Sequence, residues 1–216
     1  MRSTESLPPS GTAISRFGRH SRRLGSIKAL SFFMIAYFFF NDAIATAIAV
    51  MAVYANTVMG FTTGQFILLY LVSTVSSVVG SFLFGYCARA FGSKRAVAAV
   101  AFILLAAIAI ASLATSQSLF WIAGSLYGVS MGAMWVTSRT LIVELTPENK
   151  RGQFFGLFAF SGKVSSIVGP ALYGSITWAL AESGNHASRV ALGSLMLLVL
   201  AGLIVHFRVP FKKPNS

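Results

Sequence analysis

The sequence predicts an all-α membrane protein with six transmembrane helices, and three observations support this prediction. Of the 216 residues, 56% are hydrophobic and 10% are charged, whereas an ordinary soluble domain has about 25% charged residues. Six apolar runs each approach the length of about 20 residues that crosses a bilayer as a helix. The basic residues are concentrated in every second connector between those runs. A soluble chain of this composition would lack enough polar surface to face water.

The six predicted spans cover residues 29–55, 63–86, 96–114, 119–143, 154–178 and 190–207. The connectors between them contain the Gly, Pro, Ser and charged residues that typically end helices. Before the first span, residues 1–27 contain Pro8, Pro9 and several serines and arginines, which predicts a disordered basic arm or linker. We therefore expect a transmembrane domain over residues 28–209 and a short tail over residues 210–216.

The distribution of basic residues predicts the orientation of the chain. Fourteen of the 17 Lys and Arg residues lie in the amino-terminal arm, the second and fourth connectors and the carboxy-terminal end, whereas Arg189 alone lies in a connector on the other side. Because cytoplasmic loops carry an excess of Lys and Arg, both termini are expected to lie in the cytoplasm. The expected location of the protein is the cytoplasmic membrane of the cell. The net charge of +12 is thus a topology signal, and no nucleic-acid partner is expected.

Several other classes of function lack their required residues. The single Cys87 and three widely separated histidines give no metal-ligand cluster, so we expect neither a metal nor a cofactor. The spacing from Gly156 to Lys163 is one residue too long for a phosphate loop, and Val164 stands where that loop requires Ser or Thr. No nucleophile elbow or paired carboxylates occur within a span, so an enzyme is not expected.

Asn41 and Asp42 are the most informative polar residues, because they lie in the middle of the first apolar span. A carboxylate in a membrane is costly unless it is paired, hydrated or protonated. Asp42 lies about 20 Å along the first helix and Lys163 about 15 Å along the fifth, so the two charges should reach similar depths from the same side. We expect them to pair, either as a permanent salt bridge that fixes helix packing or as part of a substrate or proton site.

Two further patterns concern the fourth and fifth spans. Arg139 and Glu144 lie near the cytoplasmic end of the fourth span and are expected to form an ion pair at the inner rim. Gly124, Gly128 and Gly132 recur every four residues, which predicts a helix face that allows close packing of a neighbouring backbone. In the fifth span, Gly162, Gly169, Pro170 and Gly174 predict a helix that bends or packs tightly.

The connector GYCARAFGSKRA resembles the signature between the second and third helices of each half of a major facilitator transporter. Gly85, Gly92, Lys94 and Arg95 match that signature, whereas Arg89 stands at its usual acidic position. The stretches AYFFFNDAIATAIAVMAVYA, FGSKRA and SRTLIVELTPENKRGQFFGLFAFSGKVSSIVGPALYG extend the match. Together they are similar to the carboxy-terminal half of the major facilitator branch related to the autophagy-linked vacuolar effluxer, a family known for amino-acid export.

This resemblance implies half of a twelve-helix fold, built from two inverted three-helix repeats, with substrate near the bilayer midplane. The first and fourth spans would line the central cavity, which adds Tyr37, Trp135, Thr46 and Ser138 to the pair Asn41 and Asp42. Six helices cannot enclose a two-sided path alone, so a second half is expected as a separate chain, a missing part of the gene or a second copy. The implied function is secondary transport of a small polar solute such as an amino acid, and the alternative is a non-transporting membrane subunit that binds or regulates a partner.

Overall fold

The computed structural model describes the backbone of residues 11–210 and the side chains of residues 28–148 and 150–210. Within this part of the chain lie seven α-helices, which are α1 Gly11–Thr57, α2 Thr63–Phe91, α3 Ser93–Leu113, α4 Gln117–Leu145, α5 Arg151–Val164, α6 Val168–Ala179 and α7 Asn185–Phe207. Short 3-10 turns occupy Glu148–Lys150 and Ala181–Ser183. Taken together, α5 and α6 form one span, so six spans are long and apolar enough to cross a membrane. The predicted fold class is confirmed.

The amino-terminal arm differs from its prediction where it is described. The backbone of residues 11–27 is helical and continuous with the first span, whereas a disordered arm was expected. Extending an existing helix fixes one residue for each hydrogen bond, and the segment contains no proline after Pro9 to interrupt it. Residues 1–10 of the predicted arm and residues 211–216 of the predicted tail lie outside the described residues.

The fifth span is broken in its middle. The helix α5 ends at Val164 and α6 begins at Val168. Pro170 falls in the first turn of α6, where a missing backbone N–H costs no intrahelical hydrogen bond, whereas in a continuous helix its ring would clash with the preceding turn. The predicted bend is therefore a complete interruption, and its free backbone groups need partners from elsewhere in the protein.

Glycines allow the close contact between α2 and α4. A Cβ atom placed on Gly128 would lie 2.8 Å from the carbonyl carbon of Ser73, and one on Gly80 would lie 2.8 Å from the Cα atom of Val129. These distances are far below an ordinary carbon contact of about 3.5–4.0 Å. The predicted packing role of the glycines on α4 is confirmed, because their missing side chains let the two backbones meet.

The core lies among α1, α3, α4 and α7, and two spans remain largely uncovered. Buried side chains of α3, such as Val100 and Leu104, belong to the same apolar cluster as Leu195 and Val199 of α7 and the buried side chains of α1 and α4. Within this cluster α3 packs mainly against α4 and α7. Half of the residues in the most apolar stretch of α3 are buried, against 11% in α2 and 17% in the fifth span. The broad apolar faces of α2 and of the broken span therefore require lipid or another protein surface to cover them.

Candidate functional site

The candidate site is the break in the fifth span between α5 and α6. Side chains of α1 form hydrogen bonds with the end of α5 and with the start of α6. On the α5 side, Asn41 Nδ2 donates hydrogen bonds to the carbonyl oxygen of Gly162 at 2.9 Å and to Ser165 Oγ at 2.8 Å. The Ser165 hydroxyl, which is fully buried, donates to the same Gly162 carbonyl at 2.9 Å. These bonds satisfy backbone and side-chain groups at the carboxy-terminal end of α5 that the interruption would otherwise leave unpaired.

Asp42 holds the other side of the break. Its carboxylate oxygen Oδ2 accepts a hydrogen bond of 2.8 Å from the backbone N–H of Gly169, in the first turn of α6. The first N–H groups of a helix lack intrahelical partners and lie at the positive end of its dipole, so an acidic side chain is favourable there. Adjacent residues of α1 thus supply a donor to the end of one half-helix and an acceptor to the start of the next.

The predicted ion pair between Asp42 and Lys163 does not form. The Lys163 side chain is exposed, and the salt bridge found among the described side chains joins Arg151 and Glu148 at 3.4 Å. The residue before Lys163, Gly162, is the one that faces α1, and successive residues point about 100° apart around a helix. Similar depth was therefore no guide to contact, because rotation about the helix axis turns Lys163 away.

Tyr37 completes the cluster on α1. Its ring is buried against Phe158 of α5 with centroids 4.2 Å apart, and its hydroxyl donates to Asn41 Oδ1 at 3.4 Å. Three of the five residues predicted for a substrate or proton site, Tyr37, Asn41 and Asp42, thus lie together.

Trp135 lies elsewhere, in the wall of a cavity of about 500 Å³ between α1, α2 and α4. Aromatic rings and methionines, such as Phe66, Met51 and Met131, line much of this cavity. Its Tyr127 hydroxyl already donates to the carbonyl oxygen of Ile44 at 2.6 Å. Asp42 is not among the lining residues and is 0% exposed. The expectation that Asp42 and Trp135 face one cavity therefore differs from the structure, since Asp42 lies against Gly169 of α6 and Trp135 lines the cavity.

The inner rim also differs from its prediction. Glu144 Oε1 accepts a hydrogen bond of 2.6 Å from the hydroxyl of Ser93, while Arg139 is exposed and takes part in no salt bridge among the described side chains. Arg139 and Glu144 are five positions apart in the sequence, which places them about 140° apart around α4 at 100° per residue. The helix surface favours pairs three or four residues apart, so this pair cannot meet on one face.

The connector between α2 and α3 is held by the end of α7. Gly92, at φ 93°, provides the single-residue link between the two helices. Lys94 Nζ donates to the carbonyl oxygen of Val209 at 2.6 Å, and a ring nitrogen of the buried His206 lies 2.9 Å from the carbonyl oxygen of Lys94. The side chains of Arg89 and Arg95 are exposed. Lys94, one of the predicted gate residues, therefore joins the loop between α2 and α3 to the carboxy-terminal end of α7.

The structure also shows the positions of Gly85, the remaining residue of the predicted inner-gate loop, and of Ser165 and His206, which the sequence did not predict. Gly85 lies against Val136 of α4, where an added Cβ atom would make an ordinary contact of 3.5 Å. Ser165 and His206 were not predicted, because a lone hydroxyl or imidazole in an apolar run gives no sign of its partner. Thr46 was predicted as a cavity residue and instead is buried against Gly169 of α6.

The family model for proteins described as vacuole effluxer Atg22 like matches residues 9–215. The uncharacterized MFS-type transporter YxiO of Bacillus subtilis strain 168 is 27% identical over 92% of this chain and 45% of its own length. Autophagy-related protein 22 of Coccidioides immitis is 27% identical over 85% of this chain and 32% of its own length. The chain thus spans less than half the length of these relatives.

Solved structures support the same fold. The inward open conformation of the xylose transporter XylE from E. coli matches with a TM-score of 0.67 at 18% identity, over 86% of this chain and 48% of that chain. XylE bound to 6-bromo-6-deoxy-D-glucose matches with a TM-score of 0.68 at 17% identity. At this identity the likeness concerns the fold, and it covers about half of a major facilitator protein. The chain therefore belongs to the vacuole effluxer Atg22-like family and has the fold of one half of a major facilitator transporter.

Proposed function

We propose that this chain is one half of a secondary transporter that moves a small polar solute, with an amino acid as the first candidate, by alternating access. The observation that carries the proposal is the broken fifth span clamped by Asn41 and Asp42. Transporters typically place substrate and coupling-ion sites near the midplane at discontinuous helices, whose free ends supply polar groups inside the membrane.

A second six-helix half completes the path in this proposal. The relatives are more than twice as long as the matched region, and α2 and the fifth span are the least buried of the six described spans. The missing half is a separate chain, the remainder of a longer protein or a second copy. The proposed setting is the cytoplasmic membrane, with both termini in the cytoplasm as the basic connectors favour.

The cavity beside Trp135 suggests which solute to try first. Its wall is mostly apolar and aromatic, and hydroxyls such as that of Tyr127 are engaged by backbone carbonyls. Such a wall favours the apolar part of a solute. Amino acids with apolar side chains are therefore the first substrates to test.

The test begins with the assembled complex. The protein is purified in nanodiscs from the source membrane, its subunits are identified by native mass spectrometry, and the complex is reconstituted in vesicles for amino-acid counterflow. We expect a twelve-helix assembly whose counterflow falls at least tenfold in Asn41→Ala. Ser175→Ala is the matched control, because that exposed hydroxyl on α6 bonds only the carbonyl of Ala171 one turn earlier.

Two results would contradict the proposal. An assembly that shows no counterflow with any amino acid, sugar or organic acid tested would favour the alternative function, a membrane subunit that binds or regulates a partner. Equal counterflow in wild type, Asn41→Ala and Ser175→Ala would separate transport from the broken span.

A further inference from the structure

Lys163 is a cation close to the middle of a membrane span. It lies two residues before Ser165, the midpoint of the fifth span Arg151–Ala179, and therefore about 3 Å from the middle of that span. The hydrocarbon core of a bilayer extends about 15 Å to each side of its own middle. A lysine stem of five bonds, each about 1.5 Å long, reaches about 6 Å, so its ammonium cannot snorkel to the surface. Arg139, by contrast, lies six residues before α4 ends at Leu145 and can do so.

The part of the chain that the structure describes provides no partner for this ammonium. The Lys163 side chain is exposed, and the salt bridge found among the described side chains joins two other residues. Lys163 does lie in the last turn of α5, where a cation interacts favourably with the helix dipole. That gain is several times smaller than the cost of a cation at the centre of a bilayer. The helix end therefore does not account for the charge.

The acidic side chains that the structure describes are all placed away from Lys163. Asp42 is 0% exposed and accepts a hydrogen bond from Gly169, on the side of α1 that faces α6. The others are as follows: Glu144 accepts from Ser93, Glu148 pairs with Arg151, and Glu182 lies in the 3-10 turn beyond the far end of the span. The fifth acidic residue of the chain, Glu5, lies outside the described residues. A counter-ion for Lys163 is therefore expected from another molecule.

The surface of α5 that leads to Lys163 has little side-chain bulk. Gly152, Gly156 and Ala159 precede Lys163 by eleven, seven and four residues, so at 100° per residue the four lie within an arc of about 60°. All four are exposed, and a Cβ atom placed on Gly152 or Gly156 would meet nothing within 4 Å. This face runs from the first turn of α5 to the middle of the span. Water or a small solute can therefore approach the ammonium along it.

We propose that Lys163 binds the carboxylate of the transported solute, which makes the substrate class small carboxylates with an apolar part, amino acids among them. A carboxylate forms a charge-assisted hydrogen bond with the ammonium when the solute is bound, and water hydrates the ammonium when it is absent. Because Asp42 is enclosed by α6, this half presents an accessible positive charge at mid-depth without a competing carboxylate beside it. The inference rests on the proposed transport function and adds the chemical group that is recognised.

The first test compares solutes that differ only in the acid group. Valine and valinamide share a side chain and an ammonium, as do phenylalanine and phenylalaninamide, but the amides lack the negative charge. Binding to the wild-type complex in nanodiscs is measured by titration calorimetry. We expect an amino acid to bind roughly tenfold more tightly than its amide, because the amide cannot form an ion pair with Lys163. If neither amino acid binds more tightly than its amide, the proposal is refuted, whatever the behaviour of any variant.

Three variants then assign the preference to Lys163. Lys163→Met removes the charge and keeps a long side chain, so the amino acid should bind roughly tenfold more weakly while the amide is little affected. Lys163→Arg keeps the charge and should keep the preference for the acid. Lys150→Met is the matched control, because Lys150 is an exposed lysine in the 3-10 turn at the end of the span. A Lys163→Met complex that still prefers the amino acid over its amide would overturn the proposal.

Two further readouts separate this proposal from its alternatives. If Lys163 instead pairs with an acidic side chain of the second half, native mass spectrometry should show that Lys163→Met loses the twelve-helix assembly. Together with an unchanged preference for the acid in the assembly that remains, that result would overturn the proposal. Amino-acid counterflow that is equal in wild type and Lys163→Met would overturn the carboxylate site and leave transport intact. Binding that depends on Lys163 without any counterflow would support the site and refute the transport function.

Discussion

Replacing Gly128 by alanine is expected to lower the free energy of unfolding by about 1–3 kcal/mol, the usual cost of overpacking a well-packed interface. The added Cβ atom would lie 2.8 Å from the carbonyl carbon and 2.9 Å from the Cα atom of Ser73. Since carbon atoms pack at about 3.5–4.0 Å, α2 must move away by roughly 1 Å. That movement stretches the hydrogen bond from Ser73 Oγ to the carbonyl of Gly124, now 2.9 Å long.

Two glycine-to-alanine controls share the change in chemistry without the clash. Gly85→Ala lies in the same pair of helices, on α2 and facing α4, and would meet Val136 at an ordinary 3.5 Å, and Gly156→Ala on α5 would meet nothing within 4 Å. Alanine is also favoured over glycine inside a helix by about 0.5–1 kcal/mol. Unfolding by SDS in mixed micelles, followed by tryptophan fluorescence, measures all three. If Gly128→Ala is as stable as Gly156→Ala, the close approach of the α2 and α4 backbones is refuted.

Three further changes test other contacts. Tyr127→Phe should destabilise the chain by about 1–2 kcal/mol, because a buried carbonyl of α1 loses its donor, whereas Tyr70→Phe at an exposed ring should stay within about 0.5 kcal/mol. Lys94→Met should release the carboxy-terminal end of α7 and increase its cleavage by added protease, and Lys163→Met should leave cleavage unchanged. Arg189→Gln should cost about 1.5–3 kcal/mol, because carbonyls at the end of α3 lose a charged donor; equal melting of wild type and variant would contradict this capping role.

Local properties of the sequence were enough for the class of protein and the number of spans. Span length and hydropathy are read from about 20 consecutive residues, and the bilayer imposes the same requirement on each of them. The packing glycines of α4 were likewise recognisable, since a four-residue period places Gly124, Gly128 and Gly132 on one face of any helix. The interruption near Pro170 was foreseen as a bend for the same reason, because proline disrupts a helix through its own ring.

The amino-acid sequence by itself thus determined a six-span membrane protein with a costly carboxylate at Asp42. Only the tertiary structure decided what that carboxylate binds, since its partner is the Gly169 amide 127 residues further along the chain. Counting residues along the two helices placed Asp42 and Lys163 at similar depths in the membrane. It did not determine the direction in which the Lys163 side chain points around its helix axis. The same limit applies to Glu144, whose partner Ser93 lies on another helix. Hydropathy acts along one segment, whereas a hydrogen bond depends on the distance and direction between two segments, which packing alone determines.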